Sequence, residues 1–208
     1  MTSWGLESLP GHRVSARQGY VVVDVETTGF SPARGDRICE IALVSLDTGG
    51  ETVDEWHSLI NPLRDTGPAH VHGITRAMVA GAPAIEEVLD EVWSRIAGRV
   101  LVAHNASFDL RFLRDLPGSQ WLTETLCTQK LAPEFIPHGK WTLSACCERA
   151  GIPLSDAHHA LVDARAAAEL LRFYLRRGVS WAEKLEWAAT RAPEWHPLGL
   201  PQRRALQR

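Results

Sequence analysis
The stretch Tyr20–Gly29 reads YVVVDVETTG. Tyr20 to Val25 is a short, mostly β-branched apolar run of strand length, the composition of a strand buried on both faces. Residues i and i+2 of a strand share a face, so Asp24 and Glu26 project together from the end of that run. Two neighbouring carboxylates on an apolar strand repel each other and lose hydration unless a cation lies between them. A hard divalent ion with oxygen ligands answers that need; a strand that simply leaves the core, with both acids solvated, answers it equally. Thr27, Thr28 and Gly29 then form a tight turn.

Outward from this strand, residues 37–46 are again rich in β-formers, DTGG at 47–50 supplies hairpin-turn residues, and 51–60 follow as a third strand. Three consecutive strands joined this way predict antiparallel pairing. Residues 83–97 place Ile85, Val88, Leu89, Val92, Trp93 and Ile96 at helical spacing. VLVAH at 100–104 is a second buried-type strand, followed by a helix from about Ser107 to Leu116 and a weaker strand around Leu126. Thr142–Ala150 reads as a helix stopped by Gly151 and Pro153. Ala160–Arg176, rich in Ala and Leu, is the strongest helical segment, and Ser180–Thr190 reads as a last helix. The pattern predicts an α/β domain with a mixed sheet flanked by helices. Its expected limits are 19–178, with a loose tail at 1–18 and a basic C-terminal helix and tail at 179–208.

The chain has 208 residues, with 22 Lys+Arg against 25 Asp+Glu, for a formal net charge of −3. The charge is uneven: residues 1–171 carry 14 basic and 22 acidic side chains, whereas 172–208 carry 8 and 3. A slightly acidic protein has no global field to hold a polyanion, which argues against nucleic-acid binding by bulk charge. No apolar run reaches the roughly 18 residues of a membrane span. Cys39, Cys127, Cys146 and Cys147 lack the paired spacings of thiolate metal sites, and residues 1–19 lack a signal-peptide apolar core. Free thiols in a reducing cytoplasm are the expectation.

Two further constellations stand at helix starts, the first of them directly after a buried strand. In HNASFD at 104–109, Asn105 or Ser107 is placed to cap the next helix, and Asp109 suits its first turn, by helix-dipole attraction if by nothing else. In HHALVD at 158–163, five positions on a continuous helix turn through about 500°, so His158 meets Asp163 only from a loop before the helix. His159, four positions from Asp163, is the rival that spacing alone allows to share a helical face.

Taken together, DVETTG at 24–29, HNASFD at 104–109 and HHALVDA at 158–164, with HGIT at 72–75, resemble the motifs of the DnaQ-like (DEDDh) 3′–5′ exonucleases. The resemblance covers about residues 19–176. It implies a ribonuclease H-like fold with a mixed five-stranded sheet, the first three strands antiparallel. It implies that Asp24, Glu26, Asp109 and Asp163 organise two divalent ions, Mg²⁺ or Mn²⁺, and it selects His158 over His159 as the proton acceptor. By the same resemblance Asp24 bridges the ions, Glu26 and Asp163 serve the water-bearing one, and Asp109 supports the other. Thr27, Thr28 and Gly29 would hold the terminal nucleotide, with His72 and Phe108 lining its pocket.

The expected partner is a nucleic-acid 3′ end, single-stranded DNA foremost, and the product a nucleoside 5′-monophosphate. RNA-trimming relatives usually carry E-M-T-G where this chain has Glu26-Thr27-Thr28-Gly29, which favours the DnaQ-like branch. A proofreading-type subunit docked on a DNA polymerase through the basic, Trp-containing tail (Trp181, Trp187, Trp195) is the other reading. Two divalent ions would bring the formal total to +1, so affinity away from the 3′ end is expected to be weak and metal-dependent.

Overall fold
The computed structural model describes residues 19–122, 125–154, 158–178 and 181–183. The expected tail at 1–18, and most of the expected helix at 180–190 with the residues after it, lie outside these. Among the described residues the strands are β1 (Tyr20–Thr27), β2 (Ile38–Leu46), β3 (Thr52–Leu59), β4 (Val100–Ala103) and β5 (Thr125–Cys127). They form one sheet in the order β3-β2-β1-β4-β5. The β3-β2-β1 half is antiparallel, and β4 and β5 join it in parallel. The YVVVDVET strand is therefore the centre of the mixed sheet.

The helices are α1 (Ala69–His72), α2 (Arg76–Val79), α3 (Leu89–Ile96), α4 (Ala106–Leu113), α5 (Thr128–Phe135), α6 (Leu143–Ala150) and α7 (Ala160–Leu175). Alternation along β1 divides the core. Val21, Val23 and Val25 pack with Val92, Trp93, Leu110 and Leu113 of α3 and α4, whereas Tyr20 and Val22 pack with α7. On α7 the residues against the sheet are Ala160, Ala164, Ala167, Ala168 and Leu171. Four alanines in that stripe keep the helix close to the strands, because there is almost no side chain to hold it away.

The hairpin turn forms where DTGG predicts it: Asp47 Oδ1 accepts from the N–H of Gly49 and of Glu51, both at 2.9 Å. The helix expected over 83–97 is divided, a 3-10 turn at Ile85–Glu87 preceding α3. α5 is an addition to the sequence reading, which Pro133 inside the helix had obscured. His104 explains how α5 is held. Its Nδ1 lies 2.9 Å from Thr128 Oγ1, and its Nε2 lies 3.0 Å from the Trp141 carbonyl, which only accepts, so Nε2 carries the hydrogen. Among the described residues no helix is long and apolar enough to cross a membrane. All four cysteines are free.

The alanine stripe is testable. Replacing Ala164, fully buried against the sheet, by Leu should overpack the α7 contact. Denaturant unfolding of Ala164→Leu should show a loss of about 1–3 kcal/mol.

Candidate active site
On the α7 face of β1, Tyr20 and Val22 are followed by Asp24 and Glu26, so the apolar alternation ends in two half-buried carboxylates. At that point the pairing with β2 slips: Glu26 lies opposite Glu40, but Thr27 lies opposite Ile38. The unmatched Cys39 makes a bulge, a device that bends a strand pair beside a site. Asp109 enters from the first turn of α4 and is only 2% exposed. Asp163 enters from the first turn of α7. The four acids that the motifs single out therefore converge from one strand end and two helix starts.

His158 lies outside α7, in a left-handed conformation with φ 75°. Its backbone N–H donates to Asp163 Oδ2 at 3.1 Å. Ligand atoms of Glu26, His158 and Asp163 all lie within 4.8 Å of one another, close enough for one cation to touch all three. His159 instead occupies the cap position of α7, and its carbonyl accepts from the Asp163 N–H at 3.0 Å.

Burial raises the proton affinity of all four acids, and for Asp24 and Glu26 the neighbouring carboxylates add to it. Burial, then the carboxylates of Asp109, Glu26, Asp163 and Glu40, hold Asp24 well above the usual carboxylate range. Burial, then Asp163, Glu40 and Asp109, push Glu26 up to about 8. Burial takes Asp109 to about 7, against backbone hydrogen bonding from its own amide and from Val25. Asp163 is raised by burial and pulled back by the His158 backbone bond and the two histidines. Its Oδ1 is buried and has no hydrogen-bond partner. Such clustered anionic oxygens, one of them unsatisfied, suit a hard divalent cation.

The turn beside the acids is tightly braced. Thr27 Oγ1 donates to the Gly29 carbonyl at 2.6 Å, and the Arg37 N–H donates to Thr28 Oγ1 at 3.1 Å. A Cβ on Gly29 would lie 2.5 Å from the Asp36 carboxylate, which the Ser31 N–H holds at 3.0 Å. A Cβ on Gly67 (φ 75°) would lie 2.1 Å from the Thr28 carbonyl. His72, 2% exposed, stands behind this contact: Ile74 N–H donates to its Nδ1 at 3.0 Å, so Nε2 is the donor to Thr66 O at 3.2 Å. Both ring nitrogens are thus committed within the loop. Phe108 is half-buried and packs on Phe112, with ring centroids 5.4 Å apart.

Three residues that the motif reading left without a role are given one by the fold. Glu40, 6% exposed, accepts from the N–H of Ala160, the first residue of α7, at 3.0 Å. An acid inside the apolar run ICEIALV was its signal. Phe30, 77% exposed, meets the Phe108 ring edge-on at 6.4 Å. His104, third, lies away from the acids as the brace of α5.

An exonuclease family model matches residues 21–171. A DNA polymerase III PolC-type protein of Thermotoga maritima is 38% identical over 161 residues, 74% of this chain and 12% of that protein. A DNA polymerase III subunit epsilon-like protein of Rhodobacter capsulatus is 43% identical over 159 residues, 72% of this chain and 23% of that one. The chain thus spans a quarter or less of the length of these curated relatives. Exonuclease X, solved in complex with 5′-overhanging duplex DNA, superposes with a TM-score of 0.65 at 32% identity, covering 82% of this chain and 99% of its own. Escherichia coli exonuclease I with a dT13 oligonucleotide shares the fold at 17% identity and a TM-score of 0.64.

Two measurements test the geometry. Glu40→Gln keeps an acceptor for the Ala160 N–H and Glu40→Ala removes it. The alanine variant should be less stable than the glutamine variant by about 0.5–2 kcal/mol, the worth of a lost helix cap. The acids also set a pH dependence. Glu26 and Asp109 keep their protons to higher pH folded than unfolded, so the metal-free fold binds the extra protons between the unfolded range near pH 4 and about 8. Their contribution to stability is full below that window and is lost as pH rises through it. The melting temperature of metal-free protein should fall across the window, and added Mg²⁺ should raise it most at the alkaline end.

Proposed function
The chain belongs to the exonuclease family, and on that footing we propose that it hydrolyses the terminal phosphodiester bond at the 3′ end of DNA, releasing nucleoside 5′-monophosphates. The observation that carries this reading is the meeting of Asp24, Glu26, Asp109 and Asp163 with His158 at one end of the central strand. These acids would hold two divalent ions, Mg²⁺ or Mn²⁺, which when bound polarise a phosphoryl oxygen and lower the pKa of water.

The remaining work falls to the chain's own side chains. His158 accepts the proton of the attacking water on a ring nitrogen, a task suited to imidazole. As the water oxygen bonds to phosphorus, the bond from phosphorus to the 3′ oxygen of the preceding nucleotide breaks. That oxygen takes up a proton and becomes the new 3′ hydroxyl. The His158 backbone bond to Asp163 keeps the imidazole beside the acids, and its exposure lets the proton pass on to solvent. The Thr27–Gly29 turn, held rigid by its own hydrogen bonds, offers backbone to the terminal nucleotide. Phe108, with Phe30 against it, offers an aromatic surface for the base. His72 acts indirectly, by keeping Gly67 against Thr28.

The names of the relatives support DNA as substrate, and a proofreading or repair role is the reading we attach to it. In the PolC-type proteins the similar region is a small part of a long polymerase, which supports action beside a polymerase. Copurification of a polymerase from cells would bear that out.

Digestion of end-labelled single-stranded DNA, mismatched duplex DNA and RNA with Mg²⁺ should give ladders shortening from the 3′ end, fastest on DNA. EDTA should stop the reaction. Asp24→Asn and Asp163→Asn should leave no detectable product. His158→Gln should lose about 10²–10⁴-fold in kcat, whereas His159→Gln should stay near the wild-type rate.

A further inference from the structure
β3 ends the sheet, so one of its two sides has no strand beside it among the described residues. Thr52 to Glu55 and His57 are exposed along it. The phase of the ladder fixes what that side offers. The Ile60 N–H donates to the Cys39 carbonyl at 2.9 Å, and bonded pairs alternate along an antiparallel ladder. Asp54, Trp56 and Ser58 therefore bond to β2, opposite Ser45, Leu43 and Ile41, while Glu55 and His57 direct their N–H and C=O groups outward. Edge strands are commonly guarded by Lys, Pro or an unpaired charge. Residues 52–59, TVDEWHSL, contain neither Lys nor Pro. Their two acids are already held from the helices, Glu55 by Arg165 of α7 at 3.0 Å and Asp54 by Arg95 of α3.

We propose that this edge pairs with the same edge of a second copy of the chain, antiparallel about a two-fold axis at Trp56. Outward-directed residues bond only to outward-directed residues, which leaves registers centred on Glu55, Trp56 or His57. An axis at Glu55 sets Glu55 against Glu55, and one at His57 sets the two histidines together. The axis at Trp56 sets Glu55 of each copy against His57 of the other, with Cα atoms about 5.5 Å apart. A carboxylate facing an imidazole that can donate to it is favourable, and a carboxylate facing its like is not. Charge therefore selects this register. The same register sets Trp56 opposite Trp56 in a non-hydrogen-bonded pair, where side chains lie closest. Trp56 packs on the α3 side of the core, with Arg95 over its ring at 5.9 Å. Val53, skipped between the Ser45–Asp54 and Leu46–Thr52 pairs, stays outside the central segment. A two-fold axis normal to the sheet preserves its faces. The acid clusters of the two copies then open on the same side, at five strand spacings or about 24 Å.

Sedimentation equilibrium of the full chain should show a monomer–dimer equilibrium, a readout of mass that does not depend on nuclease activity. His57→Glu sets acid against acid in both pairs and should raise the dissociation constant about tenfold or more. Adding Glu55→Lys to His57→Glu reverses both pairs and should return the constant to within about threefold of wild type. His57→Pro removes an outward N–H and no bond to β2, so it should give monomer with an unchanged circular dichroism spectrum. His138→Glu, an equal charge change at an exposed histidine between α5 and α6, should match wild type. A wild-type chain that stays monomeric throughout the micromolar range would overturn the pairing. So would a dimer that His57→Glu leaves intact or that His138→Glu weakens equally, and so would a charge-swapped double variant that stays monomeric.

Discussion

Asp24, Glu26, Glu40, Asp109 and Asp163 crowd the point where β1 leaves the core, and the rest of the architecture holds these like charges together. Left to themselves, buried carboxylates separate or take up protons. Here the first choice is closed. Asp24 and Glu26 are fixed by the β1 ladder, Asp109 by α4 packed on Val21, Val23 and Val25, and Asp163 by α7 packed on Tyr20 and Val22. What remains is protonation or a cation, and the raised proton affinities measure how strongly the site favours either.

α7 brings Asp163 to this cluster, and two devices hold it down. The alanine stripe lets it settle close to β1 and β2. Glu40 ties its first N–H to the central sheet, so an acid that adds to the charge density also anchors the helix whose first turn bears Asp163. The residue just before that anchored turn caps the helix, and the one before it, His158, is bent into a left-handed conformation that returns its ring to the acids. A strained residue kept beside the reacting groups is the pattern expected where function outweighs local stability.

Charge also has a geography that composition conceals. The residues before position 172 carry 14 basic side chains against 22 acidic ones, and by that measure the domain repels a polyanion. The fold sorts those charges. Acids gather at the end of β1, and Arg111, Arg114 and Lys130 gather on the other side of α4. Field at a surface depends on which charges are neighbours, so a net value of either sign says little about a single groove.

The placing of Asp24 and Glu26 on one face was legible in YVVVDVETTG, because the strand period of two is a property of the local backbone. The hairpin at Asp47–Glu51, the stop of α6 at Gly151 and the long α7 were legible for the same reason. The need for His158 to stand in a loop followed from helix geometry alone. α5 was not legible, since Pro133 contradicts a helix locally and tertiary contacts through Thr128 support it. Glu40 meets Ala160 across 120 positions, and His104 reaches Trp141 across 37. No local period encodes such pairs. The sequence by itself determined which residues share a strand face or a helix turn; only the tertiary structure decided which faces meet, because that depends on packing between segments far apart in the chain.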